Sequence, residues 1–495
     1  MKPYSLPRST PEQQGMTSSS ILSFIQGIET EQLELHSLMI VKNDHVIAEG
    51  WWEPYQRQDQ HQLNSLTKSF TSTAIGLAVD EQLLSLEDQV LRFFPEHVTK
   101  EIEANMRNLK VKHLLSMATG HTQDTLPILW NNQTDWVKAF LETPIEREPG
   151  SYFLYNTGAS YMLSAIIERV TGQRLLDYLR PRLLEPLGIE NVNTLTCPQG
   201  IHAGGYGMKI TTEDIAKFGL LYLHNGEWNG KRILSKEWVQ AATAKQVSNG
   251  EPGDPSDWSQ GYGYQFWRCR NDAYRGDGAF GQFCVVMPNQ NAVIAMTAGL
   301  MEMQSVLDLV WEHLLPGMEQ LALEANPVMY DKLIKKLSGL SYLPESAPGS
   351  SQMQWDQTGV TYSLEPNRAG YTDLSFSADE QAIKVTLADK DQESHFEVGL
   401  GSMARGTTEI SGFPFQYASY GVWRKKNVLE IKLFMTEYAI NDQITCHFVN
   451  DSVQVKSSRN VWMAPILSDM GVLPTLIGSR FKERDTWIGV TNKAE

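Results

Sequence analysis

The sequence predicts an α+β fold: an antiparallel sheet flanked by helices, with a helical subdomain between its early and late strands, followed by a C-terminal all-β domain. Three observations predict it. Two pairs of short apolar runs lie far apart in the chain, at 38–41 with 46–48 and at 284–287 with 292–296. Between them apolar residues recur at the three-and-four spacing of helices. Beyond about residue 350 the period drops to two, as in strands with one buried face.

In chain order, Thr17, Ser18, Ser19 and Ser20 are candidate caps before Ile21, Leu22, Phe24 and Ile25, which predicts an amphipathic helix. The turn-prone pair Asn43-Asp44 joins the first two runs into a hairpin, and Pro288-Asn289-Gln290-Asn291 joins the late pair. Val306, Leu309, Val310 and Leu314 place a helix over 305–315. A short helical stretch to about residue 340 leads to PESAPGSS (344–351), whose composition is that of an exposed linker. After it Ile383, Val385 and Leu387 alternate with Lys384 and Thr386, and Leu429, Ile431 and Leu433 with Glu430 and Lys432. The predicted division is a first domain over 1–320, a helical segment and linker over 321–350, and a small accessory β domain over 351–495 without chemistry of its own.

With 41% hydrophobic and 20% charged residues, the chain can bury large cores. A net charge of −16 with no run of Lys or Arg repels phosphate backbones and anionic surfaces, so neither nucleic acid nor membrane is an expected partner. MKPYSLP (1–7) lacks the apolar core of a signal peptide, and no stretch approaches the roughly 20 apolar residues of a membrane span. A cytoplasmic protein is expected. Cys197, Cys269, Cys284 and Cys446 have no paired spacing, which predicts reduced, buried thiols rather than zinc or a disulfide framework. The glycosylation patterns Asn132-Gln133-Thr134 and Asn450-Asp451-Ser452 lack the secretory route they need.

NSLTKSFTSTAIGLAV (64–79) sets a hydroxyl and an amine three residues apart on a helical repeat, with Phe70, Ala74, Leu77 and Ala78 as one apolar stripe. Neighbours at i and i+3 share a helix face, so Ser65 and Lys68 point together. A serine hydroxyl needs a base to become a nucleophile, and a lysine shielded from water can lose its proton and serve. By chance an S-x-x-K arises about once or twice in a chain this long, so the surrounding sequence must carry the assignment.

LHSLMIVKNDHVIAEGWWEPY (35–55), HQLNSLTKSFTSTAIGLAVDEQLLSLEDQVLRFFP (61–95), LKVKHLLSMATGH (109–121), PGSYFLYNTGASYMLSAIIERVTG (149–172) and ITTEDIAKFGLLYLHNGEWNGKRILSKEWV (210–239) supply that context. In this order they resemble the serine β-lactamase and penicillin-binding-protein superfamily, in its class C β-lactamase-like branch of esterases and DD-peptidases. The resemblance implies a β-lactamase/transpeptidase-like fold, Ser65 as nucleophile with Lys68, and a Tyr-x-Asn triplet at Tyr155-Asn156-Thr157. Ungapped alignment keeps the family tyrosine as Tyr155 but puts the family asparagine on Thr157, with Asn156 one residue early. Beside Lys68 the Tyr155 phenol is expected to have a lowered pKa, so that either group takes the Ser65 proton, while Asn156 or Thr157 holds a substrate carbonyl.

The third family motif falls on Gly276-Asp277-Gly278, or one residue earlier with Arg275 in first place. The first register offers no cation, and an acidic Asp277 weakens attraction for a carboxylate substrate. In either register a glycine lets substrate approach the strand, and the N–H groups of Ser65 and Ala279 form an oxyanion hole. The run GYGYQFW (261–267), with Trp130, Trp136 and Trp258, is expected around an apolar pocket. Some members of the superfamily carry C-terminal β-barrel-like extensions, which the last 145 residues loosely resemble.

Competing signatures fail on context. Gly276-Asp277-Gly278-Ala279-Phe280-Gly281 matches the dinucleotide fingerprint but lacks an apolar strand before it and a helix after it. No G-x-S-x-G elbow occurs, and His113, His121 and His202 sit in no ligand array. The expected activity is hydrolysis of a small ester, amide or peptide through an acyl-enzyme on Ser65, with no cofactor and no metal. True β-lactam turnover is the less favoured variant, and a silent penicillin-binding-like regulatory protein is the alternative from another class.

Overall fold

The computed structural model describes residues 5–132, 134–343, 359–367, 370–378, 381–410, 413–461 and 484–491. These divide into two compact units. The first takes in most of the chain to residue 339, and the second comprises 51–59, 299–301 and everything from 340 onward. Two short early segments therefore belong with the C-terminal part, a division the uninterrupted boundaries read from sequence did not contain. The linker expected at 344–351 lies outside the described residues.

In the first unit, six strands form one antiparallel sheet: β1 (Leu35–Lys42), β2 (His45–Trp51), β3 (Trp267–Arg268), β4 (Tyr274–Gly278), β5 (Gln282–Met287) and β6 (Ala292–Ala298), in the order β2-β1-β6-β5-β4-β3. Asn43 and Asp44 turn the first hairpin with φ of 48° and 64°, the left-handed pair that matches strand twist. The pairing of β1 with β6, Leu38 opposite Met296 and Ile40 opposite Ile294, stitches the early hairpin to the late one. Every residue of β1, β5 and β6 is buried, which is why these strands read as continuous apolar runs rather than alternations.

Helix α1 (Ser18–Thr30) is capped by Thr17, whose Oγ1 accepts from Ser20 N, and buries Ile21, Phe24, Ile25 and Ile28, as its spacing predicts. The helix predicted over 305–315 begins as Gln304–Leu309 and continues through a π turn at Val310–Leu314. The intervening helical region contains α2 (Thr67–Asp80), entered through a 3-10 turn at Asn64–Leu66, and α3 (Thr157–Thr171). It also contains α4 (Thr212–Leu223), which packs on β5 and β6. Gly219 is the point of closest approach: a Cβ there would meet Val293 Cγ1 at 2.5 Å and the Cys284 sulfur at 2.9 Å.

Among the described residues the second unit holds ten strands between Val360–Leu364 and Arg484–Thr491. The last strand returns to pair with the first, and a parallel contact of Gly399–Leu400 with Tyr420–Gly421 completes a β-barrel. The predicted alternation holds, with Ile383 and Val385 buried and Lys384 exposed, and with Leu429, Ile431 and Leu433 in the core. Tyr55 belongs here, its ring edge-on to Phe434 at 6.2 Å and its hydroxyl donating to Asn441 Oδ1 at 2.9 Å.

Gly219→Val should crowd the α4–sheet contact and lower the unfolding free energy of the first unit by about 1–3 kcal/mol. An earlier urea midpoint at unchanged m is the expected result.

Candidate active site

Helix α2 does not present one buried stripe. It is buried all round from Thr67 to Ala78, and its hydroxyl side chains make that tolerable by finding partners on two loops. Thr71 Oγ1 donates to Gly204 O at 2.6 Å, Ser69 Oγ to Gln265 O at 2.8 Å, and Ser72 Oγ to Tyr264 O at 2.6 Å. Between these clamps Lys68 is 1% exposed and donates to Ser65 Oγ at 3.1 Å and to Gly205 O at 2.8 Å. Burial lowers its pKa from 10.5 to about 7, against the opposing pull of the Asp124 and Asp277 carboxylates. Ser65 and Lys68 thus face each other as the i, i+3 spacing predicts.

Tyr155 joins them. Its hydroxyl hydrogen-bonds the Ser65 side chain, its ring lies 4.9 Å from Lys68 Nζ, and it stacks on Trp267 at 5.5 Å. The expected lowering of its pKa is overturned: burial, with Asp277 and Asp124 nearby, raises it well above the ordinary phenol value. The group that gives up its proton near neutrality is therefore the amine, and the phenol keeps its own.

The displaced amide is also corrected. Asn156 is fully buried, its Oδ1 accepting from Thr125 N at 3.1 Å and Thr125 Oγ1 at 2.8 Å while its Nδ2 donates to Thr119 Oγ1. Thr157 spends both its N–H, at 2.8 Å, and its side chain on Asp124. The hydrogen bonds of both residues are spent on fixing the entry to α3. Asp124 was not singled out from sequence; it lies 31 residues before Tyr155 in a polar loop, and only folding brings it to Lys68.

In the third motif, Arg275 and Asp277 project from the same side of β4 and pair at 2.8 Å, both buried. Arg275 also donates to Asp257 O at 2.7 Å and sits 4.3 Å over the Trp258 ring. It is fully buried, with Nε and Nη1 engaged inside the fold and Nη2 without a hydrogen-bond partner among the described residues. Burial raises the Asp277 pKa, although Arg275, Lys68 and a hydrogen bond from Trp267 oppose the rise. The glycines do something other than admit substrate. A Cβ at Gly276 would meet Leu66 and, at 2.6 Å, Ser69 Oγ; one at Gly278 would meet Leu63 O and, at 2.9 Å, Ser65 N. They let β4 press against the start of α2, and Ala279 follows directly beyond, with Asn64 Nδ2 donating to its carbonyl at 2.8 Å.

Of the aromatic run, Tyr262 and Trp267 reach Tyr155, whereas Phe266 packs on Tyr222 and Tyr264 on Trp238. Trp130 donates to Tyr206 Oη at 2.7 Å, next to Gly205; Trp136 instead packs on Tyr161. Gly276–Gly281 runs strand, turn, strand, which no dinucleotide fingerprint does. His113 accepts from Lys110 N and His202 from Leu176 N, and His121 contacts Thr119 Oγ1. Among the described residues no group of His, Cys, Asp or Glu is placed to hold a metal ion, and no helix is long and apolar enough to cross a membrane.

The sequence profile of the beta-lactamase family matches residues 26–309, more than half of the chain. The chain belongs to the beta-lactamase family. The match of this beta-lactamase-family chain to a 6-aminohexanoate-dimer hydrolase from Paenarthrobacter ureafaciens is 24% identical over 279 residues, 52% of this chain and 71% of the relative. A lovastatin esterase from Penicillium rubens is 26% identical over 169 residues, 30% of this chain and less than half, 42%, of its own length. A penicillin-binding protein homologue from Caulobacter crescentus has the same fold, with a TM-score of 0.50 at 16% identity over 63% of this chain and 100% of its own.

Gly278→Ala should push β4 off the start of α2. The family site should then lose at least about tenfold in the rate of fluorophosphonate labelling at Ser65, consistent with loss of donor alignment, while far-UV circular dichroism stays native.

Proposed function

We propose that this chain is a serine hydrolase that acylates Ser65 with a small neutral ester or amide and releases the acyl group to water. The observation that carries the reading is a buried lysine with pKa about 7 donating to the Ser65 hydroxyl at 3.1 Å. In its neutral form Lys68 accepts the Ser65 proton as Oγ bonds to the substrate carbonyl carbon. The carbonyl oxygen gains the electron pair and is held by the N–H groups of Ser65 and Ala279. On collapse the leaving group takes a proton from Tyr155, which already hydrogen-bonds Ser65, while the Lys68 ammonium returns the proton it took to the phenol oxygen, so that the phenol stays protonated and the amine is neutral again. Water then repeats the sequence on the acyl-enzyme. Relatives named as a 6-aminohexanoate-dimer hydrolase and a lovastatin esterase support this reaction class. The commitment of Arg275 to Asp277 favours neutral over anionic substrates and makes β-lactams poor ones. Four buried, unpaired thiols support a reducing compartment such as the cytoplasm, and the net charge of −16 supports a small-molecule rather than a nucleic-acid or membrane partner.

A fluorophosphonate probe with mass-spectrometric mapping should label Ser65 stoichiometrically; folded protein that takes no label would instead be a binder.

The pH dependence follows from the amine. A protonated Lys68 cannot accept a proton, so kcat/KM should fall as pH drops through about 7 and level off above it. A flat profile between pH 6 and 8 would remove Lys68 as the base.

Tyr155→Phe should cost about 10²–10⁴-fold in kcat/KM, and Lys68→Ala/Tyr155→Phe should be barely worse than the worse single variant, because groups in one proton path are not additive.

A further inference from the structure

The turn that carries Ala279 is built in an unfavourable conformation and held there from outside. Gly281 N donates to Gly278 O at 3.2 Å, which closes a four-residue turn with Ala279 and Phe280 at its centre. Phe280 has φ of 68°, while Ala279 is not among the left-handed residues, so the turn is type II with a bulky residue where Gly or Asn normally stands. Type II and type I turns differ by a flip of the central peptide, whose carbonyl is Ala279 O. Two side-chain amides grip that oxygen: Asn64 Nδ2 at 2.8 Å and Gln282 Nε2 at 3.2 Å. Gln282 is itself fixed by Ala298, donating to its carbonyl at 2.9 Å and accepting from its N–H at 3.3 Å. Asn64 adopts φ of 47°, which asparagine tolerates better than most residues.

From this we infer that Asn64 is a positioning residue of the oxyanion hole. By pinning the 279–280 peptide it fixes Ala279, whose N–H, in the second position of the turn, has no partner inside the turn and is left for the developing oxyanion. The residue before the nucleophile thus ties the two donors together: it precedes the Ser65 N–H in the chain and sets Ala279 through space. The inference rests on the acyl-enzyme reading above.

Two variants separate the latch from the backbone. Asn64→Gly keeps the left-handed φ and removes the amide; Asn64→Asp keeps the shape and sets a carboxylate oxygen against Ala279 O. With p-nitrophenyl acetate as substrate, kcat should fall at least about tenfold in Asn64→Gly and further in Asn64→Asp, on the scale set by losing one oxyanion donor, with KM little changed. Benzeneboronic acid, whose serine adduct carries a tetrahedral oxyanion, should weaken by the same factor as kcat, which general loosening of the fold would not require. Unchanged kcat and boronate affinity in Asn64→Gly overturn the latch, as does a loss confined to KM. Should Asn64→Asp fail to fold, Asn64→Gly decides alone. Ser65→Ala, measured alongside, distinguishes the two levels: an active Ser65→Ala fells the acyl-enzyme reading, whereas an inactive one with normal Asn64 variants fells only the latch.

Discussion

Removing the Lys68 amine from water is the constraint on which the rest of the site depends. Burying an ammonium is costly enough that the group gives up its proton near neutrality instead. That requires a helix buried on every side, and a buried helix rich in Ser and Thr requires acceptors for its hydroxyls. The carbonyls of Gly204, Tyr264 and Gln265 supply them and that of Gly205 accepts from the Lys68 amine, so the two loops are as much part of the site as the helix. Gly205 illustrates the fit: a Cβ there would press on Thr157 at 2.7 Å and lie 3.4 Å from Lys68 Nζ.

The charge arrangement follows from the same exclusion of water. Asp124 and Asp277 both keep a residual pull on the Lys68 proton, and both are themselves pushed toward the neutral form by burial. Arg275 balances Asp277 at contact distance, donates to Asp257 O and lies over the Trp258 face. A guanidinium held this way contributes to the packing of β4. The phenol of Tyr155, stacked on Trp267 in this low-dielectric wall, has no stabilised phenolate, and so environment rather than intrinsic pKa sets the proton affinities of the two groups.

The strand hairpins, the capped first helix and the period-two β domain were legible in the sequence because each is a local pattern: turn residues with left-handed φ, a hydroxyl cap, alternating burial. The pairing of Ser65 with Lys68 was legible for the same reason, since i and i+3 meet within one helical turn. The site residues misread were those whose partners are distant in sequence. Asn156 lies beside Tyr155, yet Thr119, Thr125 and His121 claim its amide. Gly276 and Gly278 looked open to substrate, yet Leu66 and Ser65 fill the space.

By itself, then, the sequence determined the fold class, the family and the meeting of Ser65 with the Lys68 amine, all of them carried by short-range periodicity or by ordered blocks of similar residues. Tertiary structure alone decided which groups are charged and where they point. Proton affinities depend on how much water is excluded and on which carboxylate or carbonyl stands within a few ångströms, and for Lys68 those neighbours, Asp124, Gly205 and Asp277, are separated from it by 56, 137 and 209 residues of chain.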